Sequence, residues 1–227
     1  MKYYPIFMDI KNKSCLVVGG GRVGVRKAIT LDKCGAKVKV ISNRFSSGCN
    51  NLKTTSIDFK TKEYESSDVK GMFFVFAATD NSDLNQKIKN QASKSGILCN
   101  IADSPDKSDF ILPSIVDRGD LVIAISTSGA SPAMAKKIRQ DLEQNFGSEY
   151  AIFLTLMGRI RKKLLSSGHA PDDHKQIFDT LIKKGILNLI KTDSEKQINL
   201  ILSEVLGQNY LYQDLIAPDL ISSKRGE

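Results

Sequence analysis

The 227-residue chain is 41% hydrophobic and carries 33 lysines and arginines against 25 aspartates and glutamates, a formal net charge of +8. That length buries a real core in one to two domains. No stretch approaches the roughly 20 apolar residues of a bilayer span, residues 1–13 lack the apolar segment of a signal peptide, and Cys15, Cys34, Cys49 and Cys99 show no CxxC pair or zinc spacing.

Reduced thiols in a cytoplasmic protein follow as the expectation, with Cys15 and Cys99 in strands. The basic excess fits nucleic acid, a polyanionic small molecule or a solvated basic surface. The basic residues are spread along the chain without an aromatic-rich or helix-turn-helix context, so neither a nucleic acid nor a membrane is expected as partner.

Residues 14–18 form a short apolar run that ends in Gly19-Gly20-Gly21-Arg22-Val23-Gly24. A helix is predicted from Val23 to about Cys34, stopped by Gly35, and a second strand over residues 37–41 with Ser42-Asn43-Arg44 at its exit. This is a β-α-β unit in about 30 residues. Residues 72–78 form a strongly apolar run, as a parallel strand covered on both faces requires. Ser82 is the expected cap of a helix to about Ser95, ended by Gly96, and residues 97–101 are the next strand. Alternating strands and helices predict a doubly wound α/β domain over residues 1–113.

From Ser114 the pattern changes. Residues 121–126 are one more strand, and Ser131-Pro132 starts a helix whose Met134, Ile138, Leu142 and Phe146 form one apolar stripe. One strand and one helix close no core, so residues 114–147 must pack on the first domain or on a second copy of the chain, and the second copy is the expectation. Residues 148–227 read as a helical domain: one helix marked by Phe153, Met157, Ile160 and Leu164, a second from Asp172 or Asp173 to Gly185, and a third behind a Thr192–Glu195 capping box. The tail after Ala217 is polar. The predicted class is therefore α/β, with a Rossmann-type parallel sheet, a small α+β dimerisation segment and a helical C-terminal domain.

Gly19, Gly21 and Gly24 stand at G-x-G-x-x-G spacing, with the strand before and the helix after that a dinucleotide site requires. The first permits the tight turn, the second the approach of a pyrophosphate, the third close helix–strand packing. The alternative is a glycine turn without a ligand. The acidic residue that holds the ribose of NAD, expected about 20 positions on, is missing. Ser42 or Asn43 can serve a ribose hydroxyl, whereas Arg44 suits the 2′-phosphate of NADP, so spacing leaves both cofactors open.

Asp103 follows the strand 97–101, where carboxyl ends of strands face a ligand crevice. It is placed to take a proton while a cofactor takes a hydride, or to hold a cationic or metallated intermediate. The competing reading is an Asx-turn ahead of Pro105. Ser126, Thr127 and Ser128 open a small polar loop that suits carboxylates or simply caps the helix at Pro132. His169 and His174 read as surface residues near a turn rather than metal ligands. No Tyr-x-x-x-Lys pair occurs, against a short-chain dehydrogenase.

With these segments placed, the chain resembles the precorrin-2 dehydrogenase family, which includes the dehydrogenase/ferrochelatase part of siroheme synthase. The resemblance runs from residue 4 to about 145. It rests on Tyr4-Pro5-Ile6-Phe7, Val17 to Gly24 with Arg26-Lys27, Ala77 to Asp80 with Asn85, Cys99 to Asp103, Phe110 to Arg118, and Ser126 to Pro132. It implies a homodimer with an exchanged dimerisation segment and NAD⁺ as acceptor. The cofactor is then expected on Gly19, Gly21, Arg22, Val23 and Gly24, near Asn43 and Arg44 and beside Ala78 and Thr79. The family's key aspartate falls on Asp103, and a family serine of the dimerisation loop falls on Thr127. Relatives often carry alanine where this chain has Gly24. The methyltransferase domain of the fused siroheme synthases is not in this sequence, so methylation of uroporphyrinogen is not expected of it.

The resemblance also accounts for the charge, since precorrin-2 carries eight carboxylates and a basic cleft would concentrate and orient it. Arg118, Lys136, Lys137 and Arg139 are the candidate carboxylate contacts, with Ser126, Thr127 and Ser128 beside them. Three functions compete: NAD-dependent oxidation of precorrin-2 to sirohydrochlorin, the same oxidation coupled to insertion of Fe²⁺ as a ferrochelatase, and a non-catalytic dinucleotide sensor. A sensor needs only the glycine turn, so Asp103 and the Ser126–Pro132 piece weigh against it.

Overall fold

A computed structural model describes residues 1–46, 56–167 and 171–216. The chain divides into two compact units, Met1–Leu112 and Pro113–Glu227. In the first, the apolar runs become parallel strands β1 (Ser14–Gly20), β2 (Lys37–Phe45), β3 (Asp58–Thr61), β4 (Phe74–Ala77) and β5 (Leu98–Ile101), with helices α1 (Arg22–Lys33) and α2 (Ser82–Lys94) between them. The strand order is β3-β2-β1-β4-β5, the doubly wound arrangement whose direction reverses between β1 and β4.

Burial on both faces explains the continuous apolar runs. Cys15 and Val17 of β1 point to the α1 side with Ala28, Leu31, Phe74 and Phe76. Leu16 and Val18 point the other way, to Ile88 and Ala92 of α2. Cys15 and Cys99 are free, fully buried thiols, and burial pushes each up to about 11. Cys34 is exposed, and Cys49 lies outside the described residues.

Three local expectations change. The helix expected behind Ser82 is capped instead by Asn81, whose side chain accepts from the amides of Asp83 and Leu84; the amide group reaches both where a serine hydroxyl at the next position would already be inside the helix. Strand β3 was not foreseen. It is a short edge strand whose burial is slight, so its period-2 signal is weak. The strand predicted over residues 37–41 runs on to Phe45, because a bulge at Val18/Gly20 brings Phe45 into register with Gly20.

The second unit begins with the antiparallel hairpin β6 (Ser114–Arg118) and β7 (Leu121–Ile125), followed by α3 (Pro132–Asn145), α4 (Glu149–Ser166), α5 (Pro171–Lys183), α6 (Ile186–Lys191), α7 (Glu195–Leu206) and α8 (Tyr212–Leu215). Leu156, Ile160 and Leu164 of α4 pack with Leu181, Ile186, Ile190, Ile198 and Leu202 to form its core. Residues 114–147 and the helices beyond form one unit rather than two, since α4 packs on β7 and Ala151 abuts Gly119 of the hairpin turn. The capping box expected from Thr192 to Glu195 is absent. Thr192 ends α6, its hydroxyl donating to the Asn188 carbonyl, and Ser194 precedes α7 without a side-chain cap. His174, read as a surface residue, is only 3% exposed, with Nε2 lacking a hydrogen bond among the described residues; the Phe178 ring stands edge-on to it, with centroids 6.3 Å apart. His169 and the tail after Ile216 lie outside the described residues. Among the described residues no helix is long and apolar enough to cross a membrane.

Candidate dinucleotide cleft and the Asp103 loop

The C-terminal ends of β1, β2 and β4 open into a cleft of about 1090 Å³. Its floor is the glycine turn. Gly19 has φ +122°, and a Cβ there would lie 2.2 Å from the Ala78 carbonyl oxygen, so the turn fits between β1 and β4 only without a side chain. Gly24 is not in the cleft wall but beneath it: a Cβ would lie 2.0 Å from the Gly19 carbonyl, so its absence sets how closely α1 packs on the turn. Gly21 has open space where a Cβ would stand, and it begins α1 with no side-chain cap and no acidic residue in the first turn. Among the described residues the leading amides of α1 have no side-chain cap and can receive an anion, which the helix dipole favours there. Open space over uncapped amides fits a dinucleotide's pyrophosphate.

Gly19, Gly21, Arg22, Val23, Asn43, Arg44, Ala78 and Thr79 all line this cleft, with Ser42. The β4 exit is held by Asn85, which is buried. Its Oδ1 accepts from the Thr79 hydroxyl at 2.7 Å and the Thr79 amide at 3.2 Å, and its Nδ2 donates to the Thr79 carbonyl at 3.0 Å. Sequence reasoning missed the wall made by Lys62, Glu63 and Tyr64, which follow the unforeseen β3.

Asp103 lies at the β5 side of the same cleft, exposed, with φ +61°. Aspartate tolerates this left-handed conformation better than most residues. The loop carrying it is pinned on both sides. The Ser108 hydroxyl accepts from the Ile101 amide at 2.9 Å, and Asp109 accepts from the Cys99 amide at 2.8 Å and pairs with Lys89. Burial pushes the Asp109 carboxyl up, but the hydrogen bonds from Lys89 and Cys99 and the charge of Lys89 outweigh it and hold it below its ordinary value. The Asx-turn reading of Asp103 fails: among the described residues its carboxylate has no hydrogen bond, and the residue is exposed and lines the cleft.

Beneath this loop, Lys27 of α1 donates to Asn100 Oδ1 at 3.0 Å and sits 5.6 Å from the Phe76 ring centroid. Asn100 in turn donates to the Phe110 carbonyl at 2.9 Å. Burial pulls the Lys27 ammonium below its usual value, Arg26 pulls the same way, and the Asp103 charge opposes both. The half-buried Lys27 cation and the Asp103 carboxylate thus feel each other's charge without an ion pair among the described residues.

In the second unit, the polar loop before α3 shapes itself. The Thr127 hydroxyl donates to the Ser131 carbonyl at 3.0 Å and accepts from the Ser131 amide at 3.2 Å. Ser126 Oγ accepts from the Ser128 amide at 3.0 Å, and Ser128 itself has φ +54°. Ser131 caps α3 through the Met134 amide. Lys136 is exposed, Lys137 is paired with Asp141 at 2.6 Å, and Arg139 is paired with Glu143.

Arg118 is not a free carboxylate contact. Its guanidinium donates to the carbonyls of Phe146 at 2.7 Å, Asp117 at 2.9 Å and Glu143 at 3.2 Å, closing the C-terminal end of α3. Arg118→Met leaves those carbonyls unserved, so it should cost about 1–3 kcal/mol. A lowered melting temperature with an unchanged KM for substrate is the expected result, and a raised KM at unchanged stability would restore Arg118 to the substrate site.

Fold and cleft define a Rossmann-type dinucleotide-binding protein. A family model described as putative NAD(P)-binding matches residues 6–114, and one described as sirohaem biosynthesis protein central matches residues 118–145. A siroheme synthase of Vesicomyosocius okutanii is 36% identical over 223 residues, covering 93% of this chain and 47% of that protein. One from Nitrosococcus oceani is 39% identical over 165 residues, covering 72% of this chain and 35% of that protein. The chain therefore spans less than half the length of these relatives. Among solved structures, SirC, a precorrin-2 dehydrogenase, superposes with a TM-score of 0.71 at 25% identity, over 92% of this chain and all of that one. The chain belongs to the family that unites precorrin-2 dehydrogenase with the NAD(P)-binding and central parts of siroheme synthase.

Proposed function

We propose that this protein oxidises precorrin-2 to sirohydrochlorin, with NAD⁺ as acceptor, in siroheme biosynthesis. The observation that carries the reading is Asp103, a carboxylate with no hydrogen bond among the described residues, held in a left-handed turn in the lining of the dinucleotide cleft. The reaction removes a hydride and a proton from the macrocycle. A bound nicotinamide dinucleotide supplies the hydride acceptor. The glycine turn and the first amides of α1 hold its pyrophosphate, and the Thr79 loop, fixed by Asn85, borders the cleft on the β4 side. Asp103 accepts the proton, with Lys27 and Asn100 supporting its loop from beneath. Lys136, Arg139, Ser126, Thr127 and Ser128 are proposed to receive substrate carboxylates.

Two copies of the chain are proposed to pair through the second unit. Ile115 and Val122 stand on the outer face of the hairpin, 40% and 39% exposed, and Met134 on α3 is 54% exposed. The free cysteines suit a cytoplasmic setting. An anaerobic assay with precorrin-2 and NAD⁺, with and without Fe²⁺, tests the reading. Stoichiometric NADH and a sirohydrochlorin spectrum are expected. No NADH with demonstrably bound NAD⁺ would leave only a sensor.

A further inference from the structure

The ribose end of the cleft lacks what an NAD-only site uses. A carboxylate at the exit of the second strand accepts from the adenosine ribose 2′-hydroxyl; here the exit is Ser42-Asn43-Arg44. The Ser42 hydroxyl gives its proton to the Arg44 carbonyl at 2.6 Å, so it has no proton left for a ribose oxygen. The exit is also locked against the glycine turn. A Cβ on Gly20 would lie 2.4 Å from the Arg44 carbonyl oxygen, and the Ser46 amide donates to the Gly20 carbonyl at 3.0 Å. The backbone of Arg44 therefore has a fixed place beside the phosphate-binding turn.

Its guanidinium, by contrast, is uncommitted. Arg44 is exposed, lines the cleft, and among the described residues has no hydrogen bond or ion pair through its side chain. A second cation, Lys62, lines the cleft from the exit of β3, where its amide donates to the Ser42 carbonyl. Its ammonium is shared with Asp68 at 3.1 Å and Glu65 at 3.6 Å, so it adds little free charge. Among the described residues Glu63 is the one carboxylate of the cleft wall on this side; Asp80 and Asp103 follow β4 and β5, across the point where strand order reverses.

We propose that this end of the cleft receives a 2′-phosphate, with Arg44 as its anchor, so that the protein takes NADP⁺ as well as NAD⁺. The inference rests on reading the cleft as a dinucleotide site. A guanidinium has only donors, so it gains nothing from a hydroxyl's proton. It offers a planar fork to phosphate oxygens.

Titration of the full chain with NAD⁺, NADP⁺, 5′-ADP and 2′,5′-ADP, followed by calorimetry, tests it. NADP⁺ is expected to bind at least as tightly as NAD⁺, and 2′,5′-ADP more tightly than 5′-ADP. Arg44→Glu should lower the ratio of NADP⁺ to NAD⁺ affinity about a hundredfold, and Arg44→Lys should keep most of it. NADP⁺ binding tenfold or more weakly than NAD⁺, or an Arg44→Glu ratio equal to wild type, overturns the inference while leaving the cleft intact. Binding of neither dinucleotide overturns the cleft itself.

Discussion

Gly19→Ala is expected to abolish dinucleotide binding and to destabilise the first unit together. The new methyl group would stand 2.2 Å from the Ala78 carbonyl oxygen, a backbone atom of β4 that cannot swing aside. The residue must also hold φ +122°, which L side chains rarely adopt. Strain of this kind costs about 1–3 kcal/mol before the clash is added, so a total near or above 3 kcal/mol is expected. Relief requires β1 and β4 to part at the end that forms the cleft, which removes the phosphate cradle.

Gly21→Ala separates the two effects. Its φ of −75° suits alanine and nothing stands within 4 Å of its Cβ. Stability should stay near wild type, while the methyl group occupies space above the α1 amides and weakens dinucleotide binding by about tenfold or more. Calorimetry for affinity and thermal unfolding for stability report both variants. If Gly19→Ala binds NAD⁺ as wild type does, the glycine turn is not the phosphate cradle.

The contrast between these glycines shows what the chain reveals about itself. The turn was legible because its pattern is local: a buried strand, a glycine run and a helix follow one another, although the Ala78 carbonyl that Gly19 must clear comes from the exit of β4. The β3 edge was not, since Asp58–Thr61 is largely exposed and among the described residues pairs only with β2. With it went the wall at Lys62 and Glu63. Lys27 and Asn100 meet across 73 positions, and no local pattern announces such a pair. Arg118 shows the reverse error. A basic residue in a chain of net charge +8 suggested an anion, yet its partners are carbonyls 25 and 28 residues on, which only the packing of α3 on the hairpin brings near.

The loop at the exit of β5 carries the other large effect. Asp103→Asn should lower kcat by about 10²–10⁴-fold, the range removed with a general acid or base. Asparagine tolerates positive φ as aspartate does, so the loop keeps its shape between the Ser108 and Asp109 anchors and only proton acceptance is lost. Asp103→Ala adds a backbone penalty of about 1 kcal/mol at φ +61°. Alanine should therefore lower stability slightly where asparagine does not, with the same loss of turnover. NAD⁺ affinity should change little in either variant, because the phosphate cradle belongs to β1 and α1 rather than to this loop. Anaerobic NADH formation under saturating precorrin-2, with NAD⁺ affinity measured separately, distinguishes these cases. Asp103→Asn turning over at the wild-type rate would remove the carboxylate from proton transfer and leave it as a turn residue.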